Sequence, residues 1–576
     1  MRKKILAIFI VAIYLTTHSY LAVFAAADEN HTAENGEAKT IKGTVTETGE
    51  NGHDTGVEVI SGDPEKPTSL DVTGGVEVRD NKPPEDDWDN TTYGVKDTAY
   101  SNTGTVNVGK DVEVDYKGKT DNVSAVGVYT EVIGGDANVR VGGSVSAKSP
   151  TGDATGIDAV VNQDTPEGTI LKTDITVKGS VNAETPKGNA VGIETKNLYG
   201  NSDVTNVTVN KDVNVKNSAD DRTSYGIHSD MSGEQSNTTI DIGGNINVNG
   251  KPGSAGMVFD YDESKVYEDP PSSKVNVRVK GDVNSNQLGI IVDDVANGKV
   301  DVVIEGTLSA DNGPAVVINK EASDDFTLTA WRVDAPKDLV MENTGTVKEP
   351  KLENTKVSQL AENKIQYIIK VEPTQAGSIT LDNTTIKYFT DANGNITKYD
   401  TAREGEKVAV KLAIPDGYSL YGVYRDDDQR LPLNVDSNGN YYLVVPRGGG
   451  VIISMTLVKD EPDPEPTTTA TPTPYDLEDK NKSSSKQGTY TIVDVDNATN
   501  SGIPPQVLQN AYQFAEDYAV INCPDYLTGE RRQAFLEYFV MFFRNLLMNY
   551  NGETNRLEDL EEKATDLAEL AVWTMN

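Results

Sequence analysis

The sequence predicts a mainly β protein whose N-terminal half is a parallel β-helix, in which short strands stack turn upon turn. Three observations predict this fold. A nine-residue phrase recurs every 25 to 37 residues, apolar and polar residues alternate within it, and most copies are followed by a step of glycine plus an apolar residue. Repeats of this length are typical of solenoids, because one unit cannot bury its own apolar face and must stack on its neighbours.

Each copy of the phrase is predicted to form two short strands joined by a bend. Alternation with a period of two is the pattern of a strand with one buried and one solvated face. Glycine favours a bend at the centre because it tolerates backbone angles that other residues resist. The central positions are Gly43, Gly74, Lys110, Gly143, Gly179, Lys211, Gly244, Gly281 and Gly306.

The glycine-plus-apolar step is predicted to mark a third strand in each turn. Nine such turns would form a rod of roughly 40 Å. The units are short for propeller blades and far too short for immunoglobulin-like sandwiches. The steps are Gly94-Val95, Gly127-Val128, Gly156-Ile157, Gly192-Ile193, Gly226-Ile227, Gly256-Met257 and Gly289-Ile290.

Residues 1–27 are predicted to be a secretory signal peptide, so the protein is expected outside the cytosol. Basic residues at 2–4 precede an apolar run over 5–15, and cleavage is expected after Ala25 or Ala27. No later window is long and apolar enough for a membrane span, so no integral membrane segment is expected after signal removal.

The formal net charge of −38 disfavours nucleic acid and anionic membranes as partners. Solubility and self-repulsion explain the charge, with calcium on acidic loops such as Asp260, Asp262 and Glu263 as the weaker alternative. Cys523 is the single cysteine, which excludes intrachain disulfides. A buried apolar role is favoured for it over intermolecular pairing.

Residues 28–325 are assigned to the solenoid and residues 326–364 to a cap on its last turn. Phe326, Leu328, Trp331 and Val333 are expected to cover apolar groups that an open end would expose. A ligand-stacking role for Trp331 is the alternative.

Residues 365–459 are predicted to form a small β module with tight turns at Asn393-Gly394 and Asn438-Gly439. The matching motifs are Ala402, Gly405, Glu406, Val408 and Val410, then Pro415-Asp416-Gly417-Tyr418, then 442–446 and 451–455. On these residues the segment resembles the internalin B-repeat-like domains of Gram-positive surface proteins. The resemblance implies a surface-displayed spacer or adhesion module and brings no catalytic residues.

A Pro/Thr/Ser-rich linker is predicted over 460–490 and a helical domain over 491–576. The helical segment carries an apolar stripe with Phe535, Leu536, Phe539 and Phe543. A three-helix bundle is favoured, with docking of a partner or self-association as the alternative. No sortase-type sorting pattern occurs, so surface association is expected without that anchor.

Catalysis is the weaker expectation, although the solenoid resembles the right-handed parallel β-helices of pectate-lyase-like and adhesin-type secreted proteins. Asp293-Asp294 is the best carboxylate pair, but strand neighbours point to opposite faces. Arg140 and Arg278 are expected as outward surface residues, and His228 as a variable outward position. No catalytic residue, metal site or cofactor is predicted, and ligand-binding residues are not assigned.

The expected function is structural or adhesive, with valine and isoleucine inward and polar residues outward in every turn. The partner is expected to be an extracellular glycan or protein surface, bound through repeated outward-facing loops. A carbohydrate-active enzyme or glycan-binding module is the alternative. An enzyme would show three or more acids or bases within ~10 Å of one another, with shifted pKa values, around Asp293, Asp294 or Arg278.

Overall fold

A computed structural model describes residues 31–460, with gaps, and eight residues beyond them. The gaps are 49–54, 80–90, 119–121, 163–169, 199–202, 234, 262–271, 294, 296, 320–324, 336–338, 344–364, 375 and 427–429. The chain divides into two compact units, residues 1–463 and 464–576. The predicted signal peptide, residues 461–490 of the predicted linker, Asp294 and Cys523 lie outside the described residues.

The solenoid contains thirty described strands. In chain order they are β1 (Thr32–Glu34), β2 (Ala38–Ile41), β3 (Val45–Glu47), β4 (Thr55–Ser61), β5 (Thr68–Val72), β6 (Val76–Val78), β7 (Thr91–Ala99), β8 (Gly104–Val108), β9 (Val112–Asp115), β10 (Ser124–Val132), β11 (Ala137–Val141), β12 (Val145–Lys148), β13 (Ala154–Val161), β14 (Lys172–Val177), β15 (Val181–Thr185), β16 (Ala190–Asn197), β17 (Val204–Val209), β18 (Val213–Asn217), β19 (Ser224–Asp230), β20 (Asn237–Ile242), β21 (Ile246–Asn249), β22 (Ala255–Asp260), β23 (Lys274–Val279), β24 (Val283–Ser285), β25 (Leu288–Val292), β26 (Lys299–Ala310), β27 (Val316–Asn319), β28 (Phe326–Asp334), β29 (Val340–Asn343) and β30 (Ile365–Ile368).

These strands stack in parallel as three columns, which confirms the predicted parallel β-helix with three strands per turn. The first column is β1, β4, β7, β10, β13, β16, β19, β22, β25, β27 and β29. The second runs from β2 and β5 to the first halves of β26 and β28 and then to β30. The third runs from β3 and β6 to β24 and then to the second halves of β26 and β28. The central position of each phrase lies between a second-column and a third-column strand, except Gly306, which lies within β26 where the register shifts.

The core consists of small β-branched residues that stack in register. Ile157, Ile193 and Ile227 follow one another in the first column, and Val181 and Val213 face the same interior from the third. Each such side chain contributes about 1.5–3 kcal/mol when fully buried. No intrachain disulfide can add to this, so stacking and sheet hydrogen bonds hold the fold.

The glycines of the first column are required by close packing across the core. A Cβ at Gly156 would lie 2.3 Å from Cγ1 of Val181 and 2.6 Å from the carbonyl oxygen of Gly192. The same arrangement repeats at Gly192, against Val213 and Gly226. The glycine-plus-apolar step thus marks where the first column approaches the third, and any larger residue would push them apart.

The predicted division into apolar inside and polar outside fails on the first column. Val258, Ile291 and Val317 stand in register on its outer face, and each has an exposed fraction of 0%. They join Val191, Tyr225, Ala255 and Leu288 in a second apolar cluster, separate from the core. The alternation rule missed them because the run in β25 is apolar at every position.

The parallel stack extends beyond residue 325, into the segment assigned to a cap. Strand β28 pairs in parallel with β26, and β30 pairs in parallel with β28. Residues 344–364, also assigned to the cap, lie outside the described residues. The change from parallel to antiparallel pairing comes after β30, in the module that follows.

The described residues of the module that follows form ten strands. They are β31 (Lys370–Val371), β32 (Ser378–Asp382), β33 (Thr385–Thr390), β34 (Ile396–Ala402), β35 (Lys407–Ala413), β36 (Tyr418–Asp426), β37 (Arg430–Pro432), β38 (Asn434–Val435), β39 (Tyr441–Val444) and β40 (Ile452–Lys459). Two four-stranded sheets, β31-β40-β36-β37 and β32-β35-β39-β38, form most of it. The hairpin β33–β34 joins the solenoid sheet through β30.

Both predicted Asn-Gly turns join antiparallel strands of this module. Gly394 lies between β33 and β34 with φ +82°, and Gly439 lies between β38 and β39 with φ +84°. These left-handed backbone angles favour glycine.

In the second unit the eight described residues are all helical and buried. They include Phe535, Leu536, Phe539 and Phe543 of the predicted apolar stripe, and the rings of Phe539 and Phe543 stack with centroids 5.9 Å apart. The three-helix arrangement stays a prediction.

Candidate functional site

The outer face of the third column carries a ladder of asparagines. Strands β15, β18, β21 and β24 place Asn182, Asn214, Asn247 and Asn284 at matching positions in register. Each strand turns its valine or isoleucine neighbours into the core, so the asparagine side chain faces outward. Parallel in-register stacking therefore brings four identical amides into one row.

The amides of this row bond to one another from turn to turn. The Nδ2 atom of Asn214 donates to Oδ1 of Asn182 at 3.0 Å, and Asn247 donates to Asn214 at 2.9 Å. Asn284 donates to Asn247 at 3.0 Å, and the hydroxyl of Ser309 closes the row by donating to Asn284 at 3.0 Å. We call this row, from Asn182 to Ser309, the amide ladder.

The amide ladder forms part of the wall of an open groove with a volume of about 570 Å³. A second row beside it holds Glu184, Lys216, Asn249 and Asn286, with Lys148 and Asp311 towards the two ends. Lys216 pairs with Glu184 at 2.7 Å, and Asn286 donates to Asn249 at 3.1 Å. Six of the fifteen residues that line the groove are asparagines, and its two lysines balance its two carboxylates.

The ladder leaves hydrogen-bonding capacity unused. An asparagine side chain has two N–H donors and an oxygen that accepts two bonds. Each inner rung uses one donor and one acceptor within the ladder. The side chains of Asn214 and Asn247 are only partly buried, so their remaining groups can serve a bound molecule.

The sequence contained the signal for this site. Each of the four asparagines stands three residues after the central position of its phrase, at Gly179, Lys211, Gly244 and Gly281. Alternation alone predicts only that these residues face outward, and their identity becomes visible when the same position is compared across the copies.

The sequence predicts that Arg278 is an exposed surface residue, and this prediction is wrong. Its exposed fraction is 4%, because the β33–β34 hairpin covers it. Its guanidinium donates to both carboxylate oxygens of Asp241, at 2.9 and 2.6 Å, and to Thr397 of the hairpin at 2.8 Å. The ring of Phe389 lies 4.9 Å from it. Arg278 thus fastens the module to the solenoid.

The remaining candidates fall in separate places. Arg140 is exposed on β11, as expected. Asp293 follows β25, and its proposed partner Asp294 lies outside the described residues. Trp331 packs against the module rather than facing solvent, and its ring N–H donates to the carbonyl of Val451 at 3.2 Å.

His228 is outward, as expected, but lies at the centre of an ion-paired cluster on the first column. Its Nδ1 lies 3.2 Å from Glu194 Oε1, and its Nε2 lies 3.0 Å from Asp260 Oδ1. Lys196 bridges Glu194 at 2.8 Å and Asp158 at 3.2 Å. We call these five residues the charged cluster.

The charged cluster shifts the pKa values of its members in both directions. Burial and the nearby charge of Glu194 raise the pKa of Asp158 to about 7. Burial opposes ionisation of Glu194 too, but hydrogen bonds and charges from His228 and Lys196 outweigh it and lower the pKa to about 2. Burial would lower the pKa of His228, yet Asp260 and Glu194 raise it to about 10. The histidine therefore stays charged at neutral pH.

Every member of the charged cluster lies beside an oppositely charged side chain. Among the described residues no three or more His, Cys, Asp or Glu side chains are grouped to hold a metal ion. Within the same part of the chain no helix is long and apolar enough to cross a membrane. Compared with known proteins, the chain matches no family model, no curated protein and no solved structure.

Proposed function

We propose that the protein is an exported adhesive scaffold that binds an extended extracellular ligand along the amide-lined groove. The amide ladder carries this proposal, because it presents the same pair of free donor and acceptor groups at successive turns. A repeated surface of this kind suits a ligand that is itself extended and repetitive.

The other parts of the chain support display at a Gram-positive cell surface. Residues 1–27 have the composition of a secretory signal. The module over 365–459 resembles a B-repeat-like spacer, and the Pro/Thr-rich segment after it would extend the chain further. In this proposal residues 491–576 form a helical bundle that docks a partner or self-associates, and so retains the protein at the surface.

A carbohydrate-active enzyme is the second candidate, and the charged cluster favours it. Asp158 and Glu194 stand on neighbouring turns, about 4.8 Å apart along the stack, with pKa values shifted in opposite directions. Glycosidases use one protonated and one ionised carboxyl group in this way. Because Lys196 bridges both carboxylates, we favour the scaffold.

Adhesion of beads coated with the mature chain, residues 28–576, tests the first proposal. The surfaces are a neutral polysaccharide, an acidic polysaccharide and collagen. We expect beads to adhere to at least one, and a variant with Asn182, Asn214, Asn247 and Asn284 changed to Ser to lose at least about tenfold in adhesion.

The matched control is Asn138→Ser with Asn276→Ser, which changes outward asparagines on the second column. Adhesion to none of the surfaces, or equal adhesion by the ladder variant, would remove the proposal. Release of reducing ends from either polysaccharide, abolished by Glu194→Gln, would replace it with the enzyme.

A further inference from the structure

The position of the amide ladder can be followed along the third column. Before Asn182 the same outward position holds Glu77, Glu113 and Ser146. After Asn284 it holds Ser309 and then Asp334. The ladder thus lies within an uncharged stretch of six residues, from Ser146 to Ser309, with carboxylates beyond each end.

We propose that the groove binds a neutral, hydroxyl-rich linear polysaccharide whose chain runs parallel to the solenoid axis. This inference rests on the proposed function and names its ligand class. A sugar hydroxyl both donates and accepts a hydrogen bond, which matches the one donor and one acceptor that each inner amide keeps free.

Charge selects against acidic polymers. The groove itself is balanced by Lys148 and Lys216 against Glu184 and Asp311. Glu113 and Asp334, at the ends of the uncharged stretch, would repel a polyanion that extended beyond the amides, and the chain as a whole carries −38. A neutral polymer pays no such penalty.

Spacing supports the orientation along the axis. Successive turns are about 4.8 Å apart, which is close to the length of one extended hexose unit. The six strands that line the groove, from β12 to β26, therefore span roughly 24 Å. A chain in this orientation would meet a new amide with each sugar, and affinity should rise with oligomer length until the groove is filled.

Affinity electrophoresis tests the inference with the mature chain in gels containing a neutral β-glucan, a neutral mannan or polygalacturonate. Because the protein is strongly acidic, it migrates well and a bound neutral polymer retards it. We expect retardation by at least one neutral polymer, unchanged in high salt, and none by polygalacturonate. Oligosaccharides of that polymer should compete better as they lengthen from two to about five units.

Variants separate binding from folding. Asn214→Ser with Asn247→Ser should weaken retardation about tenfold, while Asn138→Ser with Asn276→Ser should leave it unchanged. Circular dichroism and thermal unfolding of each variant show that the fold is kept. If the ladder variant is retarded as strongly as the unchanged protein, the inference is wrong. It is also wrong if only polygalacturonate retards the protein.

The outcome also separates the ligand class from the proposed function. If beads adhere to collagen through the ladder while no neutral polymer retards the protein, the ligand class is wrong and the adhesive scaffold stands. If neither adhesion nor retardation depends on the ladder, both proposals fail.

Discussion

The outer faces of the first and third columns are built from the same repeat but carry different kinds of side chain. On the third column the stacked positions hold identical uncharged amides, which bond to one another and line an open groove. On the first column they hold the charged cluster and an apolar row, and the members are paired and largely buried. Stacked amides stabilise one another because each can donate to the next, whereas like charges in register repel.

The largest expected effect comes from breaking the charged cluster. His228→Leu should lower the free energy of unfolding by about 3 kcal/mol, because Glu194 and Asp260 would lose the cation between them. Asn247→Ala on the other face should cost only about 1 kcal/mol, since water can replace the hydrogen bonds that this half-buried side chain makes to its neighbours. Urea unfolding of both variants measures the difference, and equal losses would show that the two faces contribute alike.

A second variant tests a carboxyl group inside the solenoid. Asp97 has an exposed fraction of 0%, and no side chain among the described residues donates a hydrogen bond to its carboxylate oxygens. Burial raises the pKa of Asp97 well above 3.8, so the folded state holds the proton more tightly than the unfolded chain. Its favourable contribution is thus complete below pH 3.8 and is lost as the pH rises through the folded-state pKa.

Asp97→Thr should therefore stabilise the protein by about 1–3 kcal/mol at pH 7.5, with a smaller gain at pH 4. Thr130 occupies the equivalent position one turn later, so threonine fits the stack. Thermal unfolding at the two pH values measures the gain, and the outward Glu113→Gln serves as control. A larger gain at pH 4 would contradict the assigned direction.

The smallest effect tests the rule for stacking charges. Asn214→Asp with Asn247→Asp would place two carboxylates on adjacent turns and should cost about 1 kcal/mol, relieved by high salt. Asn214→Lys with Asn247→Asp alternates the signs and should be tolerated. If both double variants unfold at the same urea concentration in low salt, the rule does not explain why the two faces differ.

The solenoid was predictable because its signals are local and repeated. Alternation predicts the strands and the central glycines predict the bends, as at Gly179 between β14 and β15. The reason for Gly156 was hidden, since it depends on contact with Val181 in another column. The burial of Arg278 could not be predicted, because Thr397, which accepts a hydrogen bond from it, lies 119 residues away in sequence. The amide ladder was predictable from the sequence, but only by comparing the same position across the copies of the phrase.

The fastening of the module at Arg278 has a mechanical consequence. Hydrogen bonds between turns run along the solenoid axis, so tension applied at a chain end would peel turns away one at a time. The hairpin crosses several turns, with Lys387 held by Asp301 and Tyr399 by Glu305, while Arg278 joins it to an earlier turn. A pull arriving from the C-terminal side would load these bonds together, in shear, before the last turn could open.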